Sequence, residues 1–160
     1  MSTHHDMNRR DWLKTASGLV VGFTLGGLPG FAQQAPSAAD GRSLDPREVD
    51  SFLSIAPDGS VTVYTSKVDV GTGMRIAIAQ MAAEELGVDT ARVTVVDGDT
   101  ARCPNTGGTG GSTGLTRGGT AVRQAAATAR QALLALGAER LKRPIADLTI
   151  VGGEVRFSLS

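Results

Sequence analysis

Three runs decide the fold of this chain: Val61-Thr-Val-Tyr-Thr-Ser-Lys-Val68, then Met74–Leu86 after Gly71-Thr72-Gly73, then Val93-Thr-Val-Val96. The first is β-branched and alternates, the pattern of a half-buried strand. In the second, Ile76, Ala79, Ala83 and Leu86 recur at spacings of three and four, which predicts a helix with one apolar stripe, stopped by Gly87. Gln80 falls on that stripe, where a buried amide needs partners, and is expected to brace a glycine loop. The third run is a strand ending at Asp97-Gly98. Strand, helix and strand in this order make a βαβ unit whose strands are expected to lie parallel in one sheet.

Working outward, Phe52, Leu53 and Ile55 lead into the turn signal Pro57-Asp58-Gly59-Ser60, so a hairpin precedes the unit. Residues 33–48 are rich in Ala, Pro, Ser, Gly and Asp without periodicity and read as a linker, with order expected from Val49. On the other side, Asp99 to Gly119 carries no periodicity and is expected to be a loop. Val122, Ala125 or Ala126, Ala129, Leu133 and Leu136 then mark a second helix, and Leu148–Val151 with Val155–Phe157 form a last hairpin across Gly152-Gly153. The predicted class is α+β: hairpin, βαβ unit, glycine-rich loop, second helix and terminal hairpin. The second helix offers little beyond methyl groups between Val122 and Leu133, which suits packing on its own sheet or inside a larger assembly.

Composition removes several chemistries. The chain has 160 residues, and its only histidines, His4 and His5, and its only tryptophan, Trp12, lie at the start. After residue 32 there is no imidazole for a Ser-His-Asp or Cys-His site, and one cysteine, Cys103, can make neither a disulfide nor a zinc site. The same stretch carries 13 basic against 14 acidic groups with only Phe52, Tyr64 and Phe157 as aromatics, which is no nucleic-acid footprint.

The first 32 residues read as an export signal. Asn8-Arg9-Arg10-Asp11-Trp12-Leu13-Lys14 precedes an uncharged stretch from Thr15 to Phe31, and cleavage is expected after Gly30-Phe31-Ala32. That stretch is diluted by Gly18, Gly22, Gly26, Gly27 and Pro29, and is shorter than the roughly 18–20 apolar residues of a membrane span, so no permanent anchor is expected. The paired arginines resemble the twin-arginine export motif, with Trp12 where phenylalanine is usual. That resemblance implies a periplasmic protein exported already folded, with its cofactor inserted beforehand.

Two polar glycine segments open onto helix N-termini: Gly71-Thr72-Gly73-Met74, and Thr106-Gly107-Gly108-Thr109-Gly110-Gly111-Ser112-Thr113-Gly114. Glycine lets backbone N–H groups approach a ligand, and the helix dipole favours negative charge there. Phosphate or the polar edge of a cofactor suits such a cradle, while helix capping by Thr72, Ser112, Thr113 or Thr116 is the plainer reading. A loop of the second kind, long and inside a compact domain, favours a ligand.

Three common motifs nearly match and fail. Gly71-x-Gly73 follows a strand and Asp97 ends the next, as in a dinucleotide fold, but Ile76 stands where the third glycine belongs. No Gly-Lys-Ser/Thr occurs, so there is no P-loop. Gly110-Gly111-Ser112-Thr113-Gly114 fits a hydrolase elbow, yet it follows no strand directly and lacks a histidine partner. Glu84 and Glu85 point apart on their helix and read as solvated, and Cys103 reads as a bystander thiol.

Taken together, Gly71-Thr72-Gly73-Met74, Gln80-Met81-Ala82-Ala83-Glu84-Glu85-Leu86-Gly87, Val93-Thr94-Val95-Val96, Asp99-Thr100, Pro104-Asn105, Thr109-Gly110-Gly111-Ser112 and Gly119-Thr120-Ala121-Val122 resemble the molybdopterin-binding subunit of the xanthine dehydrogenase and aldehyde oxidase family. The leader and Val49-Asp50-Ser51-Phe52 look most like its exported isoquinoline 1-oxidoreductase β-subunit branch. The resemblance implies a molybdenum–pterin cofactor, as molybdopterin or its cytosine dinucleotide form, and oxidation of aldehydes or N-heterocycles. By it, Gly71, Thr72 and Gly73 lie near the molybdenum-side groups, while Thr109, Gly110, Gly111, Ser112 and Thr113 bind the pterin and phosphates. Family members often carry glutamine where Thr72 stands. The implied partners are the remainder of the subunit, a 2Fe–2S iron–sulfur subunit and a cytochrome c.

Family subunits are several times longer, and their catalytic glutamate lies in a distal segment with no counterpart in these 160 residues. The expectation is therefore residues 1–32 as signal, 33–48 as linker and 49–160 as part of a molybdopterin-binding domain, inactive alone. The alternative is an exported stand-alone binding module or a non-catalytic remnant.

Overall fold

A computed structural model of the chain describes residues 42–158. The expected signal peptide lies outside the described residues. The hairpin is formed by β1 (Leu53–Ile55) and β2 (Val61–Thr65), antiparallel with Leu53 opposite Val63. β2 also pairs with β3 (Val93–Asp97), in parallel and with Val61 opposite Val93, so the sheet order is β1-β2-β3. The crossover between them is α1 (Met74–Leu86), which completes the βαβ unit expected from the three opening runs.

α1 keeps its expected limits because glycine stands at both ends in the left-handed region, Gly73 at φ +74° and Gly87 at φ +67°. The Gly87 N–H turns back to Glu84 O and the Val88 N–H to Ala83 O, closing the last turn with paired reverse bonds. The face it buries is rotated from the expected one rather than opposite to it. Of the expected stripe, Ala79, Ala83 and Leu86 are buried, joined by Met74, Ile78 and Ala82, whereas Ile76 is 65% exposed and Gln80 is exposed one turn later. Apolar residues stand almost all round this helix, so sequence spacing admits more than one stripe, and contact with the sheet and the second helix selects among them. Gln80 therefore braces no loop.

Residues 99–119 are not wholly a loop. Gly114–Gly119 forms a π-helical turn that runs directly into α2 (Thr120–Leu141). Val122, Ala125, Ala126 and Ala129 are buried against α1 and the sheet, so the methyl-lined half of α2 does sit on this unit. Close approach is built in: a β-carbon on Gly119 would come 3.0 Å from Met81 Sδ. Outside the apolar seam, Arg123 pairs with Glu85 at 2.5 Å and Arg130 donates to the Glu85 carbonyl at 3.1 Å.

The farther half of α2 serves a second core. β4 (Leu148–Val151) and β5 (Glu154–Phe157) pair antiparallel in a separate two-stranded sheet, and Leu148 and Ile150 pack with Leu134. Ordered packing also begins before Val49. The buried Arg42 guanidinium lies 3.5 Å from the centroid of the Tyr64 ring and donates to the carbonyls of Asp50 and Arg102. Among the described residues, no helix is long and apolar enough to cross a membrane.

Candidate cofactor-binding site

Both glycine segments sit at the carboxyl end of β2, one after it in sequence and one beside it in space. Ser66 Oγ lies 2.6 Å from Thr106 Oγ1, and the Val68 N–H donates to Thr109 Oγ1 at 2.8 Å. Lys67 Nζ donates to the carbonyl oxygens of Thr106, Gly107 and Gly108 at 3.0, 2.9 and 2.8 Å. Three consecutive residues after one strand thus hold the long loop against the end of that strand. The predicted site residues Gly71, Thr72, Gly73 and Thr109–Thr113 are brought to one end of the molecule.

The short segment is already satisfied. Asp69 Oδ1 accepts from the N–H groups of Gly71 and Thr72, each at 2.9 Å, and Oδ2 accepts from Arg75 N–H at 3.1 Å. These backbone bonds, Arg75's foremost, hold the Asp69 carboxyl below the usual carboxylate range. The carboxylate therefore occupies the place at the α1 N-terminus that an external anion would take. The cap is Asp69 rather than Thr72, whose hydroxyl also leans on Asp69 at 3.4 Å. Asp97, at the end of β3, accepts from Asp69 N–H at 3.1 Å and pairs with Arg75 at 2.6 Å, which ties the segment to the sheet.

The long segment is different. Among the described residues, the N–H groups of Gly108, Thr109, Gly110, Gly111 and Ser112 donate no hydrogen bond within the chain, and all five residues are exposed. Thr113 turns inward, its N–H and hydroxyl both donating to Gly110 O, at 3.0 and 2.6 Å. Ser112 is held at φ +57°, a left-handed conformation costing a non-glycine residue roughly 1–2 kcal/mol. Such outliers concentrate where structure serves binding. The π-turn that follows belongs to a class frequent at functional sites.

The glycines separate the chain's own needs from something outside it. Gly114 and Gly118 are required internally, since a β-carbon would come 2.3 Å from Met74 Sδ and 2.6 Å from Lys67 Cγ respectively. Gly111 needs its positive φ of 54°. Gly108 and Gly110 have neither reason: their φ values are not positive and a β-carbon would meet nothing within 4 Å. The chemistry of this donor set, unbonded N–H groups on exposed residues of which three are glycines, fits the phosphate and polar edges of a large anionic cofactor.

Sequence reasoning found both glycine segments but missed Lys67 and Asp69. A lysine just past a strand reads as solvated, and its acceptors lie some forty residues away. The Asp69 signal was present, as an acidic residue just before a helix start. Cys103 is buried, its thiol 3.4 Å from Val96 O and pushed up in pKa by burial. Among the described residues, no cluster of three or more His, Cys, Asp or Glu could hold a metal ion. A concavity of about 410 Å³ lined by Arg143, Ala146, Asp147, Phe157 and Ser158 lies at the opposite end of α2, roughly 30 Å from the loops at 1.5 Å per helical residue.

A helix N-terminus preceded by a donor-rich glycine loop, set on a βαβ unit, defines a cofactor-binding module. The chain belongs to the molybdopterin cofactor-binding domain family, whose sequence model matches residues 2–159. It is 43% identical over 109 residues to a subunit of the nicotinate dehydrogenase of Pseudomonas putida, covering 68% of this chain and 9% of that protein. The aldehyde oxidoreductase molybdenum-binding subunit PaoC of Escherichia coli O157:H7 is 36% identical over 102 residues, or 63% of this chain and 14% of that one. Among solved structures, quinoline 2-oxidoreductase from Pseudomonas putida 86 superposes with a TM-score of 0.58 at 30% identity, covering 66% of this chain and 13% of that one. CO dehydrogenase from Oligotropha carboxidovorans gives 0.61 at 28%, with the same coverages. The chain thus spans 9–14% of the length of these relatives.

Proposed function

We propose that this chain supplies the loop that holds the molybdenum–pterin cofactor in an exported oxidoreductase acting on aldehydes or N-heterocycles, and that it turns over no substrate by itself. The observation that carries the reading is the set of unbonded N–H groups on the exposed residues Gly108 to Ser112, with glycines at 108 and 110 that the chain's own packing does not require. Gly110, Gly111 and Ser112 would bind the phosphates and the pterin edge directly, with Thr109 and Thr113 fixing the loop through their hydroxyls. Gly71, Thr72 and Gly73, their donors turned onto Asp69, would form a wall near the molybdenum-side groups rather than a second anion cradle. When bound, the cofactor supplies two-electron oxidation of a carbon centre with oxygen taken from water.

The substrate class draws on relatives named for nicotinate, quinoline and aldehydes, the first two being N-heterocycles. The partners are the rest of the cofactor-binding subunit, an iron–sulfur subunit to take electrons, and a cytochrome c. Exposed Val68, Val70, Ile76 and Leu115, on or beside the two loops, give the first of these an apolar surface to cover. The twin-arginine leader supports a periplasmic destination.

The test is to purify the chain from its native host with whatever accompanies it and to assay molybdenum by mass spectrometry and pterin by fluorescence after oxidation. Molybdenum and pterin copurifying with the chain, and sequestered in the periplasmic fraction, are expected. A folded, metal-free monomer would instead make it a stand-alone binding module or a non-catalytic remnant. Steady oxidation of aldehyde by the purified 160-residue chain alone would overturn its dependence on partners.

A further inference from the structure

Lys67 is 2% exposed, yet among the described residues no carboxylate receives its charge. Its ammonium instead donates to three carbonyls in succession, those of Thr106, Gly107 and Gly108, which matches its three N–H donors one for one. In a trans peptide the carbonyl of one residue and the N–H of the next point in opposite directions. Drawing the Gly107 and Gly108 carbonyls inward therefore turns the N–H groups of Gly108 and Thr109 outward. The N–H of Gly107, turned the same way by the Thr106 carbonyl, is taken by Asn105 Oδ1 at 3.0 Å.

The surroundings are shaped for this side chain. A β-carbon at Gly118 would come 2.6 Å from Lys67 Cγ and 3.3 Å from its Cβ, so the π-turn leaves out a side chain where the lysine stem passes. On either side in sequence, Ser66 and Val68 hold Thr106 and Thr109. A buried ammonium is costly unless its hydrogen bonds are made, so the loop carbonyls and Lys67 stabilise each other.

We propose that Lys67 is a positioning residue for the cofactor: it touches no ligand, and by binding three consecutive carbonyls it presents the N–H groups of Gly108 and Thr109 to the anionic part of the cofactor. This rests on the cofactor-holding role given above for the long loop.

The test uses the full 160-residue chain labelled with nitrogen-15 and carbon-13, with inorganic pyrophosphate as the probe. In the unmodified chain, scalar couplings from Lys67 Nζ to the carbonyl carbons of residues 106–108 are expected, together with saturable shifts of the Gly108 and Thr109 amides on adding pyrophosphate. In Lys67→Met, amide signals of β2, α1 and α2 stay in place while order parameters of residues 107–110 fall from about 0.85 to below about 0.6. Pyrophosphate affinity drops at least about tenfold. Lys67→Arg keeps the charge but presents its donors in a planar fork, so it is expected to recover only part of the lost affinity. A Lys67→Met chain with an ordered loop and unchanged pyrophosphate affinity overturns the proposal and leaves the loop's role intact. No pyrophosphate effect on the unmodified loop overturns both. If Lys67→Met fails to fold, the couplings in the unmodified chain decide: their presence upholds the proposal and their absence overturns it.

Discussion

A β-carbon placed on Gly87 would stand 2.4 Å from the carbonyl oxygen of Ile150. The end of α1 and the terminal hairpin are in backbone contact there, and the Gly153 N–H donates to Gly87 O at 2.9 Å. Gly87→Ala therefore meets two penalties, a left-handed φ and a rigid backbone neighbour. A loss of about 3 kcal/mol is expected, read as a lower urea midpoint at unchanged slope.

The Asp69 carboxylate is worth most to the folded state when ionised. Its pKa is lowered by the backbone N–H groups at the α1 N-terminus, so its contribution is present above the unfolded carboxyl value and is lost as pH falls through the folded one. Asp69→Asn should flatten the stability loss below about pH 4 relative to the unmodified chain. Urea midpoints collected across that range check it, and parallel acid limbs would count against the cap.

Gly108→Ala and Gly110→Ala should separate folding from cofactor retention. Neither site has a positive φ or a neighbour within 4 Å, so stability stays level or rises by up to about 1 kcal/mol. A methyl group on the outward face blocks close approach of a ligand to the N–H groups. Molybdenum per chain should fall in the purified complex while the thermal midpoint does not.

Cys103 should be unreactive in the folded protein. Its thiol is buried, and burial raises its pKa, so little thiolate is present or reachable. Labelling by a disulfide reagent at neutral pH is expected to run more than about tenfold slower than in urea-unfolded chain.

The βαβ unit was legible because each of its parts is announced locally: alternation in Val61–Thr65, paired glycines bounding Met74–Leu86, and a β-branched run at Val93–Asp97. What the sequence left open was orientation and closure. Ile76 and Ile78 are both apolar and nearly opposite each other round the helix, and only packing shows that Ile78 faces inward. The π-turn at Gly114–Gly119 has no apolar periodicity to reveal it. Lys67 and the carbonyls of residues 106–108 come together through tertiary folding alone. Glycines 108 and 110 were visible from the start, but their meaning emerged only when the structure removed every internal reason for them.

The two cores described above share one member, α2, whose first half packs on the βαβ unit and whose second half packs on the terminal hairpin. A helix common to two clusters makes the smaller one dependent on the larger. β4 and β5 are expected to detach, breaking their contact with Gly87, and to let the end of α2 fray while the N-terminal half of that helix keeps its place. Amide exchange should therefore run in two tiers along this single helix, slow from Val122 to Ala129 and faster beyond Leu134. The helix start that anchors the glycine loop is then expected to belong to the part that opens last.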